Sequence, residues 1–180
     1  KPLRELIRAG AKVCISFTDI TRATPNDRLI PWLLEHLADV PRENITLLNQ
    51  LGTHRPNTRS ELEQMLTPQI VRDYRVLNHE PENRDAHVQR GTMRDGVTPA
   101  LINRHVVEAD VRIVTGFIEP HFFAGFSGGP KMVAPGLAGL ETVMTLHDAS
   151  RIGHPNATWG VIEGNPVHDD VREIATLVGV

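Results

Sequence analysis

One cysteine, Cys14, in 180 residues leaves no partner for an internal disulfide and fits a reducing compartment. Runs of Lys and Arg are missing, and a net charge of −3 with a pI near 6.3 excludes the basic footprint of a nucleic-acid binder. Apolar runs fall far short of the roughly 20 residues of a membrane-spanning helix, and no signal-peptide pattern opens the chain. The expectation is therefore a cytoplasmic protein with neither nucleic acid nor membrane as partner. Several signatures are also missing: GxxxxGK[ST], GxGxxG, zinc-finger spacing and HExxH. Ala124-Gly-Phe-Ser-Gly-Gly129 is not the Gly-x-Ser-x-Gly of a nucleophile elbow, although Ser127 is a conceivable nucleophile. Without a secretion signal, Asn44-Ile-Thr46 and Asn156-Ala-Thr158 read as chance glycosylation matches.

What is present is 40% hydrophobic and 23% charged residues, the composition of a globular domain large enough to bury a core. Strand and helix patterns alternate. Lys12–Phe17, Ile45–Leu51, Arg75–Asn78 and Val111–Phe117 read as strands. Helical periods run over Asp27–Ala38, from Thr58 to Leu66 behind a Thr58-x-x-Glu61 capping box, over Thr98–Glu108 and over Leu137–Arg151. Asn83–Gly96 is turn-rich, and Gly164–His168 reads as a turn opening a helix. This alternation predicts an α/β, Rossmann-like domain with a mostly parallel sheet and flanking helices. The chain begins at Lys1 inside an apparent helix and closes on EIATLVGV, where a strand is expected to follow. Residues 1–180 are thus expected to be a fragment of a longer protein.

Residues with chemistry follow the predicted strand ends, where ligand crevices of open α/β sheets lie. Asp19-Ile-Thr21-Arg22 offers an acid, a hydroxyl and a guanidinium suited to a carboxylate or phosphate; a local ion pair holding a turn would use the same residues. Gly52-Thr-His54-Arg55 and Glu119-Pro-His121 each place a histidine after a strand, as an acid/base pair or as two metal ligands. In Gly125-Phe-Ser127-Gly128-Gly129 the glycines permit close backbone approach to an anion, with Lys131 beside them. His147 shares the apolar face of its helix with Leu140, Val143 and Met144, the setting of a hydrogen-bonded core histidine as much as of a ligand.

DITR, GTHR, HFFAGFSGGPKMVAPGLAGLETVMTLH and GNPVH, with His121, Lys131 and His147 spaced by ten and then sixteen residues, resemble the nickel-dependent lactate racemase family. The likeness covers essentially the whole chain, but only the N-terminal, cofactor-binding catalytic domain of a two-domain enzyme. It implies racemisation or epimerisation of a 2-hydroxy acid by reversible hydride transfer to a nickel-pincer nucleotide, pyridinium-3,5-bisthiocarboxylic acid mononucleotide. It implies that Lys131 tethers this cofactor, that His147 ligates nickel, and that His54 and His121 are the acid/base pair. Asp19, Thr21, Gly125, Ser127, Gly128 and Gly129 would hold the cofactor, and Arg22 the substrate carboxylate. The missing C-terminal domain and cofactor-biosynthesis enzymes become expected partners. An isolated fragment is expected to be inactive, and material from an ordinary expression host to lack the cofactor. Three other readings use the same residues: a pyridoxal-phosphate racemase with Lys131 as Schiff base, a zinc hydrolase built on His54, His121 and His147, and a non-catalytic domain that only binds an acidic metabolite.

Overall fold

The computed structural model describes residues 2–180. In chain order its elements are α1 (Leu3–Leu6), β1 (Val13–Thr18), α2 (Asn26–His36), β2 (Ile45–Gln50), α3 (Arg59–Leu66), α4 (Pro68–Asp73), β3 (Arg75–Asn78), β4 (His87–Thr92), β5 (Pro99–Asn103), α5 (Arg104–Val107), β6 (Val111–Val114), β7 (Pro120–His121), β8 (Gly125–Phe126), a 3₁₀ turn at Gly129–Met132, α6 (Leu140–Leu146), α7 (Ala149–Ile152) and α8 (Pro166–Val178). The main sheet runs β3-β2-β1-β6 and is parallel throughout, with Val13 opposite both Ile45 and Val111. This is the expected α/β architecture.

The central strand β1 is buried at all six positions, as a parallel strand covered on both faces must be. Alternation sends Val13, Ile15 and Phe17 to a cluster with Ile30 of α2, Leu62 and Leu66 of α3 and Ile70 of α4. Cys14 joins a second cluster with Val143 and Leu146 of α6, Ile102 of β5 and Val171 and Ile174 of α8. The capping box forms as expected: Thr58 accepts from Glu61 N–H, and the Glu61 carboxylate accepts from Thr58 N–H. No described helix is long and apolar enough to cross a membrane.

Four expectations are corrected. Thr98–Glu108 is not one helix. Asp95 accepts from the N–H groups of Val97 and Thr98, making a turn that returns the chain as β5 against β4, with only the short α5 behind it. A continuous apolar run does not distinguish buried strand from buried helix, and the partner strand decides. The helix expected over Leu137–Arg151 breaks at His147, because Asp148 caps a new helix by accepting from Arg151 N–H. β6 stops at Val114, short of Phe117. EIATLVGV continues α8 to Val178, where Gly179 ends it in the left-handed conformation.

The buried polar residue His79 ties β3 to the layer above. It donates from Nε2 to the Ala138 carbonyl (3.0 Å) and accepts at Nδ1 from the Asn103 amide (3.2 Å). Acceptance at Nδ1 requires a neutral ring, and burial pushes its pKa down to about 4.

Two stability measurements follow from this packing. Leu47→Ala removes a fully buried side chain, and urea unfolding is expected to show a loss of about 2–5 kcal/mol. Between pH 6.5 and about 4 the unfolded chain protonates at His79 while the native ring stays neutral. Stability present above pH 6.5 is therefore lost as pH falls through that window, by on the order of 3 kcal/mol from this ring. A flat unfolding midpoint from pH 7 to pH 4.5 would contradict this account.

Candidate active site

The strand order reverses at β1, whose neighbours are β2 and β6, and the crevice of an open α/β sheet lies beyond the carboxyl ends of such strands. A cleft of about 300 Å³ occupies this place, and its walls include Asp19, Arg22, His54, His121, Lys131 and His147. Six of the eleven sequence-derived candidates therefore meet in one cavity, from four separate segments of chain.

Asp19, 3% exposed, stands one residue past the end of β1. Its Oδ1 accepts from the Thr21 hydroxyl and its Oδ2 from His54 Nδ1, both at 2.7 Å. A carboxylate oxygen only accepts, so the neutral His54 ring carries its proton on Nδ1 and keeps a lone pair on Nε2. Thr21 thus acts on Asp19 from outside the cleft wall.

The His54 loop is held by a buried amide knot that sequence reasoning missed. Asn49, at the penultimate position of β2, donates to the side-chain oxygens of Asn57 (2.8 Å) and Asn78 (3.0 Å). Asn78 returns a bond to the Asn57 carbonyl, and Ile20 N–H reaches Asn57 Oδ1 at 3.4 Å. Loops after β1, β2 and β3 are locked to one another through these three side chains. Gln50 extends the set by donating to the Thr115 carbonyl (2.6 Å). The available signal was polar residues at the ends of strands otherwise apolar.

On the other side of the cleft, His121 Nδ1 accepts from Ala124 N–H (3.2 Å) and Phe123 N–H (3.4 Å). Its neutral ring therefore holds the proton on Nε2, opposite to His54. Burial, then the positive charges of Lys131 and Arg22, push its pKa down to about 4. Phe123 packs edge-on to both His121 (4.6 Å) and His147 (5.2 Å), separating the two imidazoles.

His147 closes α6, and its Nδ1 donates to the Val143 carbonyl at 2.7 Å. That bond fixes the ring and leaves Nε2 as a free donor to a metal. Lys131 is 9% exposed, and among the described residues no hydrogen bond or ion pair reaches its amine. Burial and Arg22 lower its pKa to about 8. Among the described residues no three His, Cys, Asp or Glu side chains gather into a metal-holding set. His54, His121 and His147 thus do not form a zinc centre, and a metal at His147 would need most of its donors from another group. A pincer nucleotide, with its own sulfur and carbon donors and a carboxyl-derived group for the lysine, fits a lone imidazole beside a free amine.

Gly125, Ser127, Gly128 and Gly129 lie off the cleft wall. Gly125 has φ +78°, and a Cβ there would stand 2.3 Å from the Val161 carbonyl oxygen; Gly128, at φ +72°, would press on Ile118. The Ser127 hydroxyl donates to the Phe117 carbonyl and accepts from Glu119 N–H. These residues shape the loop that presents His121 and Lys131.

The profile of the lactate racemase N-terminal domain matches residues 1–160. Lactate racemase of Lactiplantibacillus plantarum is 38% identical over 170 residues, covering 94% of this chain and 40% of the relative. Lactate racemase of Thermoanaerobacterium thermosaccharolyticum is 34% identical over 172 residues, with 95% and 40% covered. The chain therefore spans about two fifths of the length of these relatives. The structure of the apoprotein of the T. thermosaccharolyticum racemase superposes with a TM-score of 0.94 at 32% identity, over 100% of this chain and 43% of that one. A Thermotoga maritima protein superposes with a TM-score of 0.84 at 28% identity, over 98% and 45% respectively. Sequence and fold agree, and the chain belongs to the lactate racemase N-terminal domain family.

Proposed function

We propose that this chain is the cofactor-bearing part of a racemase or epimerase of small 2-hydroxy acids. The observation that carries the reading is the meeting of Arg22, His54, His121, Lys131 and His147 in one cleft at the sheet's switch point. Lys131 would tether a nickel-pincer nucleotide and His147 would ligate its nickel. When bound, that group supplies a reversible hydride acceptor. The completed activity belongs to a protein longer than the segment described here, with a further domain contributing to the site.

Arg22 orients the substrate by its carboxylate, whose two oxygens match the fork of a guanidinium. His54 Nε2 takes the hydroxyl proton, while the Asp19 carboxylate stabilises the resulting imidazolium through Nδ1–H. With the hydride acceptor held by Lys131 and His147, a 2-hydroxy acid would be converted reversibly to a planar 2-keto acid, and return of hydride to one face or the other would give one enantiomer or the other. His121, reaching the substrate from the opposite side, serves the other enantiomer. To act as a base at Nε2 its ring must carry the proton on Nδ1, which means releasing the Ala124 and Phe123 N–H groups. His54 is thus primed and His121 is not, so the two directions need not share one pH dependence. The free, low-pKa amine of Lys131 also suits a Schiff base with pyridoxal phosphate.

Intact-mass and metal analysis of the full-length protein, co-expressed with the cofactor pathway, separates these. Nickel with a sulfur-containing adduct on Lys131 is the expected result; full activity with an unmodified lysine would overturn the tether. In cofactor-free protein, reductive methylation of Lys131 followed by peptide mapping is expected to be half-maximal near pH 8, well below the ordinary lysine value of 10.5. His54→Ala is expected to reduce kcat by about 10²–10⁴-fold, read separately from each enantiomer, and normal turnover would sink the assignment.

A further inference from the structure

Arg22 lines the crevice from the loop after β1, and Glu119 stands beside it in the loop after β6. Their side chains meet once, Nη1 to Oε1 at 3.4 Å, with 32% and 43% of their surfaces exposed. Among the described residues this is the only side-chain partner of either group. It is a long, single-point, half-solvated contact, the weak kind of ion pair. Yet the Glu119 backbone is held firmly. Its N–H donates to Ser127 Oγ at 3.0 Å and its carbonyl accepts from Ser127 N–H at 2.8 Å. Ser127 is 5% exposed and its hydroxyl is anchored on the Phe117 carbonyl at 2.7 Å. A well-fixed residue thus presents a carboxylate to the arginine in a poor geometry. An incoming carboxylate could take two parallel N–H bonds from the same guanidinium.

We propose that Glu119 is a displaceable counter-carboxylate. It holds Arg22 at the cleft wall, and the substrate carboxylate must displace it to bind. Glu119 thereby sets the affinity of the site for 2-hydroxy acids: it keeps Arg22 extended toward the cleft, and its negative charge opposes every anion that enters. This rests on the assignment of Arg22 as the carboxylate site. No bond is made or broken, and Glu119 acts only through Arg22, as a positioning residue. The chemical step is left untouched, so the effect falls on substrate binding and not on turnover.

The test is lactate binding by calorimetry to the full-length protein, with KM and kcat measured on the cofactor-loaded form. Glu119→Gln removes the charge and is expected to tighten lactate binding about 3- to 10-fold, with KM falling in parallel and kcat unchanged. Glu119→Asp withdraws the charge by one methylene and is expected to fall between wild type and Gln, which also guards against a folding defect confined to one variant. Arg22→Ala is expected to abolish binding. Unchanged or weaker binding by Glu119→Gln, with Arg22→Ala still defective, overturns the displacement and leaves the role of Arg22 standing. Wild-type binding by Arg22→Ala overturns both. If wild type binds no lactate, binding gained in Glu119→Gln supports the proposal and its absence overturns it.

Discussion

The carboxylate of Asp19 is the tie on which the cleft depends. It is almost fully buried, and an ionised acid is kept in such a place only when its oxygens are taken up by donors. Thr21 supplies one donor from within the same loop, and His54 supplies the other from the loop after the neighbouring strand. One buried charge therefore decides where the β2 loop rests and which nitrogen of His54 keeps its lone pair. Reversing the proton arrangement on that ring would set a lone pair against a carboxylate oxygen. The amide knot of Asn49, Asn57 and Asn78 works alongside it, fixing the backbone around the histidine while Asp19 fixes the ring.

The opposite wall is built by other means. Among the described residues no carboxylate orients His121; backbone N–H groups of its own turn do so, and they select the other tautomer. The glycines and Ser127 serve the same turn. Each close approach, such as Gly125 against the Val161 carbonyl, lets the segment from His121 to Lys131 fold back on itself and present imidazole and amine together. Backbone geometry here does what side-chain ionisation does around Asp19. The consequence is two histidines that look alike in sequence and differ in tautomer.

The fold was legible where periodicity was unambiguous. The strands around β1 and β2 and the capped helix α3 could be read because buried parallel strands and capping boxes leave local marks. The hairpin of β4 and β5 could not, since Leu101 and Ile102 suit a buried helix as well as a buried strand, and the deciding partner lies across a turn. In the site, Asp19, Arg22, His54, His121, Lys131 and His147 were found from strand-end position and from family likeness. Thr21, Gly125, Ser127, Gly128 and Gly129 were placed with the cofactor, but the cleft wall does not include them. Motif reasoning marks residues a site needs without separating those that touch a ligand from those that hold the loop. The asparagine knot left no motif because its three members are distant in sequence and acquire meaning only through parallel register.

The topology also suits the proposed chemistry. Inverting a stereocentre requires groups on both faces of a planar intermediate and a fixed handle in the plane between them. In the order β2-β1-β6, the middle strand leads to Arg22, while its neighbours lead to His54 on one side and toward His121 and Lys131 on the other. The handle lies centrally and the proton carriers flank it because the sheet places their loops that way. A hairpin-built antiparallel sheet would send alternate loops to opposite ends and leave half of these groups behind. Parallel strands bring every loop to the same end, so one short domain can surround a small anion from three sides. The histidines differ in hydrogen bonding, and His121 also in burial and neighbouring charge, so in the proposed reaction two mirror-image substrates would meet unequal proton carriers.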